Sequence, residues 1–246
     1  FASTVGLGEG GLPKLSTSVR FAMTRLTIPT LIGAQQVPAD TGTLRISSVQ
    51  GKFGLGVFNG FAGPGRLRGV LSLDLLGAAG LTILPKSDGF RGTEFAFAYG
   101  ARVGLLREGF SNPGIAMSIM RREFVDDVFY GTTDDDVQLG FDPGTTSVRL
   151  TVGRDYFPTG FVVGGGVDWY SGEVSLTVRD PDGGIGTGTA SSADFTSRRE
   201  TVFAGGQYTY SVFQTSVELG WARGFDEMEG YSGPFDPGSS TYYGSL

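Results

Sequence analysis

The clearest alternation of apolar and polar positions runs through residues 93–105, TEFAFAYGARVGL. One parity carries larger apolar side chains: Phe95, Phe97, Tyr99, Ala101, Val103 and Leu105. The other parity is small or charged: Glu94, Ala96, Ala98, Gly100, Arg102 and Gly104. A period of two predicts a β-strand, because successive side chains leave opposite faces of the pleat. The apolar face packs on a core in a soluble sheet, or meets lipid around a barrel.

The same alternation recurs along the chain and predicts nine strands, which lie at 15–24, 49–57, 66–75, 93–105, 115–120, 147–153, 161–179, 201–210 and 217–222. The facing of 201–210 stays open, because Val202, Ala204, Tyr208 and Tyr210 compete with Phe203. Residues 241–246 read as the start of a further strand, and an extra one is conceivable at Phe1. A closed bacterial barrel has an even number of strands, so ten is the first choice and twelve the second.

Short and long connections alternate along the sequence. The short ones fall at 60–65, 108–114, 155–160 and 211–214. The long ones fall at 29–43, 81–92, 126–146, 180–198 and 225–240. Antiparallel hairpins with short turns at one end and long loops at the other indicate an up-and-down transmembrane barrel. We therefore predict one all-β barrel domain over residues 1–246, with its main loops at 29–43, 126–146, 180–198 and 225–240.

Charged side chains lie on the non-apolar parity of the predicted strands. They are Arg20, Lys52, Arg66, Arg68, Asp74, Glu94, Arg102, Arg149, Asp168 and Glu218. An Arg or Lys on the lipid face would cost about 2–4 kcal/mol near the midplane, whereas inside a barrel such charges pair across the lumen. Glycines crowd the same parity, which suits a narrow bore. The pattern predicts a lumen charge network formed by these ten residues.

With these features the sequence resembles the outer-membrane β-barrel superfamily in general. The resemblance rests on a pattern that covers most of the chain, and it indicates no particular subfamily. It implies a bacterial outer-membrane location at the cell surface, with membrane lipid as a partner. One feature departs from it: such barrels often end in an aromatic residue, and this sequence ends Gly244-Ser245-Leu246.

Composition narrows the chemistry. The chain has no cysteine and no histidine, which removes disulfides, thiolate catalysis and a Ser-His-Asp triad. Its net charge of −6 gives no sign of nucleic-acid binding. No apolar run approaches the roughly 20 residues of a spanning helix. The acidic run at 134–136, with Asp126, Asp127 and Asp142 nearby, lacks EF-hand spacing and is interpreted as a solvated loop rather than a Ca²⁺ site.

These observations predict a non-enzymatic barrel without catalytic residues, cofactor or metal. Its expected role is structural, adhesive or partner-binding through the long acidic loops, toward other surface proteins or copies of itself. A narrow pore for small solutes is a further use of the same lumen. The alternative is a secreted or surface-layer β-sandwich that self-assembles or binds a filament; its apolar faces would then form a core or a subunit interface.

Overall fold

A computed structural model describes residues 12–29, 41–62, 69–85, 90, 92–109, 112–130, 137–178, 189–210, 213–224 and 240–246. The described residues form eleven strands: β1 Leu15–Pro29, β2 Thr41–Phe58, β3 Ser72–Ile83, β4 Thr93–Leu106, β5 Gly114–Phe124, β6 Val128–Tyr130, β7 Val137–Tyr156, β8 Thr159–Val178, β9 Thr189–Tyr210, β10 Phe213–Ala222 and β11 Thr241–Ser245. None of these residues belongs to a helix long and apolar enough to cross a membrane.

The strands form one closed antiparallel sheet. The order runs β5-β4-β3-β2-β1-β11-β10-β9-β8-β7, and a direct pairing of β5 with β7 closes the ring. The short β6 lies outside the ring and pairs only with β7, through Val128–Tyr130. Ten of the eleven described strands therefore build an up-and-down barrel, which confirms the predicted fold class and its first-choice strand number. The β-sandwich alternative is wrong, because there is no second sheet among the described residues for the first to pack against.

The outer face of the barrel carries large apolar side chains that no described residue covers. Phe21 is 54% exposed, Leu75 49%, Phe161 63% and Leu219 66%, each on the parity that the sequence assigns to the apolar face. The opposite parity holds buried small residues and charges, including Ala96 and Asp74. This is the reverse of a water-soluble fold, and it is the arrangement of an outer-membrane barrel.

The structure resolves the facing of β9. Val202, Tyr208 and Tyr210 are exposed on the outer face. Phe203 points inward, where its ring occupies the space that a side chain at Gly164 would need: a Cβ there would meet the Phe203 ring. The neighbouring strand therefore decides the direction of Phe203, because its glycine makes room for the ring in the lumen.

Several strands are longer than predicted, β7 and β9 most of all. β7, β8 and β9 have 20, 20 and 22 residues, so β7 begins inside the predicted 126–146 loop and β9 inside the predicted 180–198 loop. The Gly, Ser, Thr and Asp residues there form strands, because β7 and β9 pair with β8 residue by residue along this length. β1, β2 and β3 likewise run into 29–43 and 81–92. Within the predicted strand at 66–75, residues 66–68 lie outside the described residues, and β3 begins at Ser72. The remaining parts of the predicted loops, at 30–40, 86–89, 131–136, 179–188 and 225–239, lie outside the described residues.

Candidate functional site in the barrel lumen

Three arginine–carboxylate pairs occupy the inner face. Arg20 Nη2 lies 2.6 Å from Glu218 Oε1. Arg102 donates to Asp74 Oδ2 from Nη2 at 2.9 Å and from Nε at 3.1 Å. Arg149 Nη2 lies 2.7 Å from Asp168 Oδ1, and the Ser147 hydroxyl donates to the same carboxylate. Six of the ten predicted lumen charges are thus joined in pairs.

Strand register explains two of these pairs. Asp74 on β3 and Arg102 on β4 are direct cross-strand partners, and Asp168 on β8 lies opposite Ser147, two residues from Arg149. Asp74 is fully buried and Asp168 is 5% exposed. A carboxylate held this deep needs its cation, because a buried charge without a partner is strongly destabilising.

The third pair crosses a strand. Glu218 on β10 and Ala22 on β1 both lie opposite Ser245 of β11. Arg20 reaches past β11 to the Glu218 carboxylate, which is 198 positions away in sequence. This pair therefore connects the two sides of the seam at which β1 and β11 close the barrel.

The other predicted lumen residues have different settings. Glu94 lies on the inner face and is 7% exposed, with a partner of its own. Lys52 lies on the inner face of β2, opposite Ser18. No ion pair joins Lys52 to a described carboxylate. Arg66 and Arg68 lie outside the described residues.

Lys52 belongs to a cross-strand row that contains a second unpaired cation. The row runs from Lys52 through Ala78 and Ala98 to Arg122. The two alanines are 4% and 7% exposed, so longer side chains lie above them. Arg122 also has no ion pair with a described carboxylate. The charges of Arg20, Glu218 and Arg122 all act on Lys52, although none of the described carboxylates forms an ion pair with it.

Sequence reasoning missed Arg122 and several other lumen residues. Arg122 continues the inward parity of Ala116, Ser118 and Met120 on β5, a signal that was present in the sequence. Tyr243 lies inward on β11, with its ring over Gly220, where a Cβ would collide with it. Gln207 donates to Asp155 Oδ1 at 2.5 Å near the short-turn end of the lumen.

A cavity of about 320 Å³ opens in the lumen toward the long-loop end of β1 and β2. Its lining includes Arg20, Gln50, Arg122, Phe124 and Tyr243. The row above Lys52 runs Arg20, Gln50, Gly80, Ala96 and Phe124, so two small residues leave the space. Among the described residues no group of three or more carboxylates is placed to hold a metal.

Comparison with known proteins adds little to this geometry. No family model matches the sequence, and no curated protein matches it. Among solved structures, the chain is similar to the outer membrane protease OmpT from Escherichia coli, at 11% identity and a TM-score of 0.42, over 95% of this chain and 92% of that chain. Because a similar structure is a protease, the prediction that this chain is not an enzyme is corrected and withdrawn. The identity and the TM-score are too low to transfer a site residue or an activity.

Proposed function

We propose that the protein is an integral barrel of the bacterial outer membrane. We propose further that it binds partner molecules at its long-loop end, where β7, β8 and β9 extend beyond the rest of the barrel. The observation that carries the proposal is a change of polarity along the outer face of β8. Phe161, Val163, Val167 and Trp169 are apolar, and the next outer positions are Ser171, Glu173, Ser175 and Thr177. The strand therefore leaves one solvent and enters another just above Trp169.

The apolar part of β8 has the right length for a membrane. Nine residues span roughly 30 Å along a strand, or somewhat over 20 Å in height when the strand is tilted by about 40°, close to the apolar band of outer-membrane barrels. Trp169 stands at its upper border, where aromatic side chains of spanning barrels favour the lipid–water interface.

β5, on the far side of β7 from β8, changes polarity one outward position lower, because Arg121 lies in the row of Thr146 and Trp169. Ile119 on β5 is outward and 52% exposed, and the next outward residue is Arg121. Arg121 donates to Glu123 at 3.2 Å and to the hydroxyl oxygens of Thr146 and Ser171 at 3.2 and 3.4 Å. These hydrogen bonds join β5, β7 and β8 on the outside of the barrel directly above the apolar band.

Above this border β8 continues for nine residues, Tyr170 to Val178, paired with β7 on one side and β9 on the other, and its outward residues are polar. Glu173 and Asp194 are exposed cross-strand partners there. A raised sheet with a polar outer face is suited to contact with another surface protein, or with a second copy of the chain, outside the lipid.

Cysteine labelling tests the location and the orientation. The sequence has no cysteine, so single-cysteine variants report one position each. We expect a membrane-impermeant maleimide to label Glu173→Cys in intact cells and Thr159→Cys only after the outer membrane is opened. Val163→Cys, on the apolar band, serves as the matched lipid-facing position and stays unlabelled in both. Labelling of Thr159→Cys but not Glu173→Cys in intact cells would reverse the orientation, and recovery of the protein in the soluble fraction would end the proposal.

A narrow pore for small solutes is a second candidate. The cavity beside the unpaired cations Lys52 and Arg122 favours it, since these charges would attract anions into the lumen. Conductance of the purified protein in a planar bilayer separates the candidates: stable single-channel steps with anion preference support the pore, and a silent bilayer supports the surface role alone.

A further inference from the structure

The upper lumen combines space, positive charge and apolar surface in one place. The cavity of about 320 Å³ is at the lower end of the size range of small-molecule sites. Arg20 and Arg122 lie on its wall, and Lys52 lies one row beneath Gln50 on the same face. Arg20 is committed to Glu218, which leaves two cations without a carboxylate among the described residues.

Unpaired cations inside a barrel wall are expensive to hold. Removal from bulk water penalises a charge unless an opposite charge or several hydrogen bonds replace the solvent. The row between Lys52 and Arg122 contains only Ala78 and Ala98, which offer neither. A bound anion would satisfy both cations together, because it can lie between them above the two alanines.

Two carboxylates lie near the cavity and limit what can enter: Glu218, which is paired with Arg20 on the cavity wall, and Glu94. Glu94 is on the inner face, directly opposite Thr82, which lines the cavity. Glu94 has another partner and is 7% exposed, so it does not supply the missing counter-charge for the lower row. Its charge lies toward the long-loop end and favours an anion whose charged group points down toward Arg122 and Lys52.

The remaining lining provides an apolar wall. Ile46, Phe124 and Tyr243 contribute hydrocarbon and ring surface, and Ser48, Gln50 and Thr82 contribute hydrogen-bonding groups. A bare inorganic ion would use only the charged floor. A molecule with an anionic group at one end and an aromatic or aliphatic body at the other would use both.

We propose that this cavity binds a small organic anion, whose carboxylate or phosphate group lies between Arg122 and Lys52 and whose apolar part contacts Phe124, Ile46 and Tyr243. The ligand enters from the long-loop end. The site requires the folded barrel but not the surface role proposed above, so either proposal can fail without the other.

Calorimetric titration of the full chain, folded in a non-ionic detergent, tests the site. The probes are phenyl phosphate, inorganic phosphate and benzyl alcohol, which separate the anionic group from the apolar body. We expect phenyl phosphate to bind at least several-fold more tightly than inorganic phosphate, and benzyl alcohol to give no measurable binding. Arg122→Gln should weaken phenyl phosphate binding about tenfold or more, since it removes a charge-assisted hydrogen bond.

Arg121→Gln is the matched control, because Arg121 is the adjacent residue on β5 and faces outward. It should leave the affinity unchanged. If Arg122→Gln does not fold, Ser48→Leu fills the cavity without changing the charge and should abolish binding. No binding of phenyl phosphate to the wild-type chain, equal affinities for phenyl phosphate and inorganic phosphate, or equal effects of the Arg121 and Arg122 substitutions would each overturn the proposal.

Discussion

Arg102 holds the fully buried carboxylate of Asp74 through two of its nitrogen atoms, at 2.9 and 3.1 Å, from the directly opposite position on the next strand. The pair is a fixed part of the inner wall, since neither side chain has to cross the lumen to reach the other. Three predictions on charge and one on shape follow from arrangements of this kind.

Arg102→Ala should lower the free energy of unfolding by about 3–5 kcal/mol, because it removes the cation that neutralises the fully buried carboxylate of Asp74. Urea unfolding of the barrel in vesicles measures the change. Arg198→Ala breaks the pair with Glu200, whose side chains are 57% and 47% exposed, and should cost about 1 kcal/mol or less. Equal losses in the two variants would show that the Asp74–Arg102 pair is as well solvated as the surface pair.

Lys52→Met should raise the free energy of unfolding by about 1–4 kcal/mol, since it replaces an unpaired lumen cation by an apolar side chain of similar length. The same urea titration at low salt measures it. Gln50→Met, one row above, removes no charge and should bring no gain. A Lys52→Met variant that is less stable than the wild type would contradict this prediction and mean that Glu218 or another carboxylate stabilises the charge of Lys52.

An arginine on the outer face of β8 should be tolerated according to its height. Val163→Arg places a charge in the apolar band and should destabilise the membrane-inserted barrel by about 2–4 kcal/mol if it lies near the midplane. Ser171→Arg lies on the same face above Trp169, and its cost should fall to about 1 kcal/mol or less. Similar values for both variants would contradict the border that we place just above Trp169.

Gly220→Ala should destabilise the barrel by about 1–3 kcal/mol, because its new Cβ would overlap the ring of Tyr243. Tyr243→Ala in the same chain should remove most of that penalty, which a double-mutant cycle measures as coupling. Gly51→Ala is the control, since its nearest atom, the Ala79 carbonyl oxygen, is 3.8 Å away. Additive effects of the Gly220 and Tyr243 substitutions would place the ring elsewhere.

The alternation of apolar and polar positions predicted the strands, and the alternating loop lengths and inward charges then favoured the barrel. The strand predicted at 93–105 is β4, Thr93–Leu106, and its predicted outer residues Phe95, Tyr99 and Leu105 are exposed. Predicting a barrel requires only two properties of each strand: which alternate positions are apolar, and where the strand ends in a turn. Both are local properties of the sequence.

Strand ends were harder to predict than strand faces. Near Ser171 and Gly172 the polarity of alternate residues reverses, which resembles an irregularity in the strand. The pairing of β7 with β8 is continuous there, from Asp142–Glu173 to Thr145–Tyr170. The strand continues, and the residues on its outer face change from apolar to polar. The polarity of alternate residues therefore depends on the surroundings of each face of the strand as well as on the backbone conformation.

Partners within the lumen could not be predicted from one sequence. The candidate residues were chosen by parity, but the match of Arg20 with Glu218 depends on a seam between strands far apart in the chain. Arg122 was left out because it lies in a charged run, Arg121-Arg122-Glu123, whose two arginines face opposite sides of the wall. Where the cavity opens depends on Gly80 and Ala96 adjoining the same row, which only the register reveals.

The bridge from Arg20 to Glu218 has a consequence for assembly. Most strands of the barrel pair with the next strand along the chain, so hairpins can zip up locally, whereas this bridge exists only once the first and last strands have met. Long-range closure of this kind comes late, since the entropy of ordering the intervening chain must already have been offset. The Arg20–Glu218 ion pair therefore stabilises the closed barrel, and it should slow unfolding far more than it speeds folding.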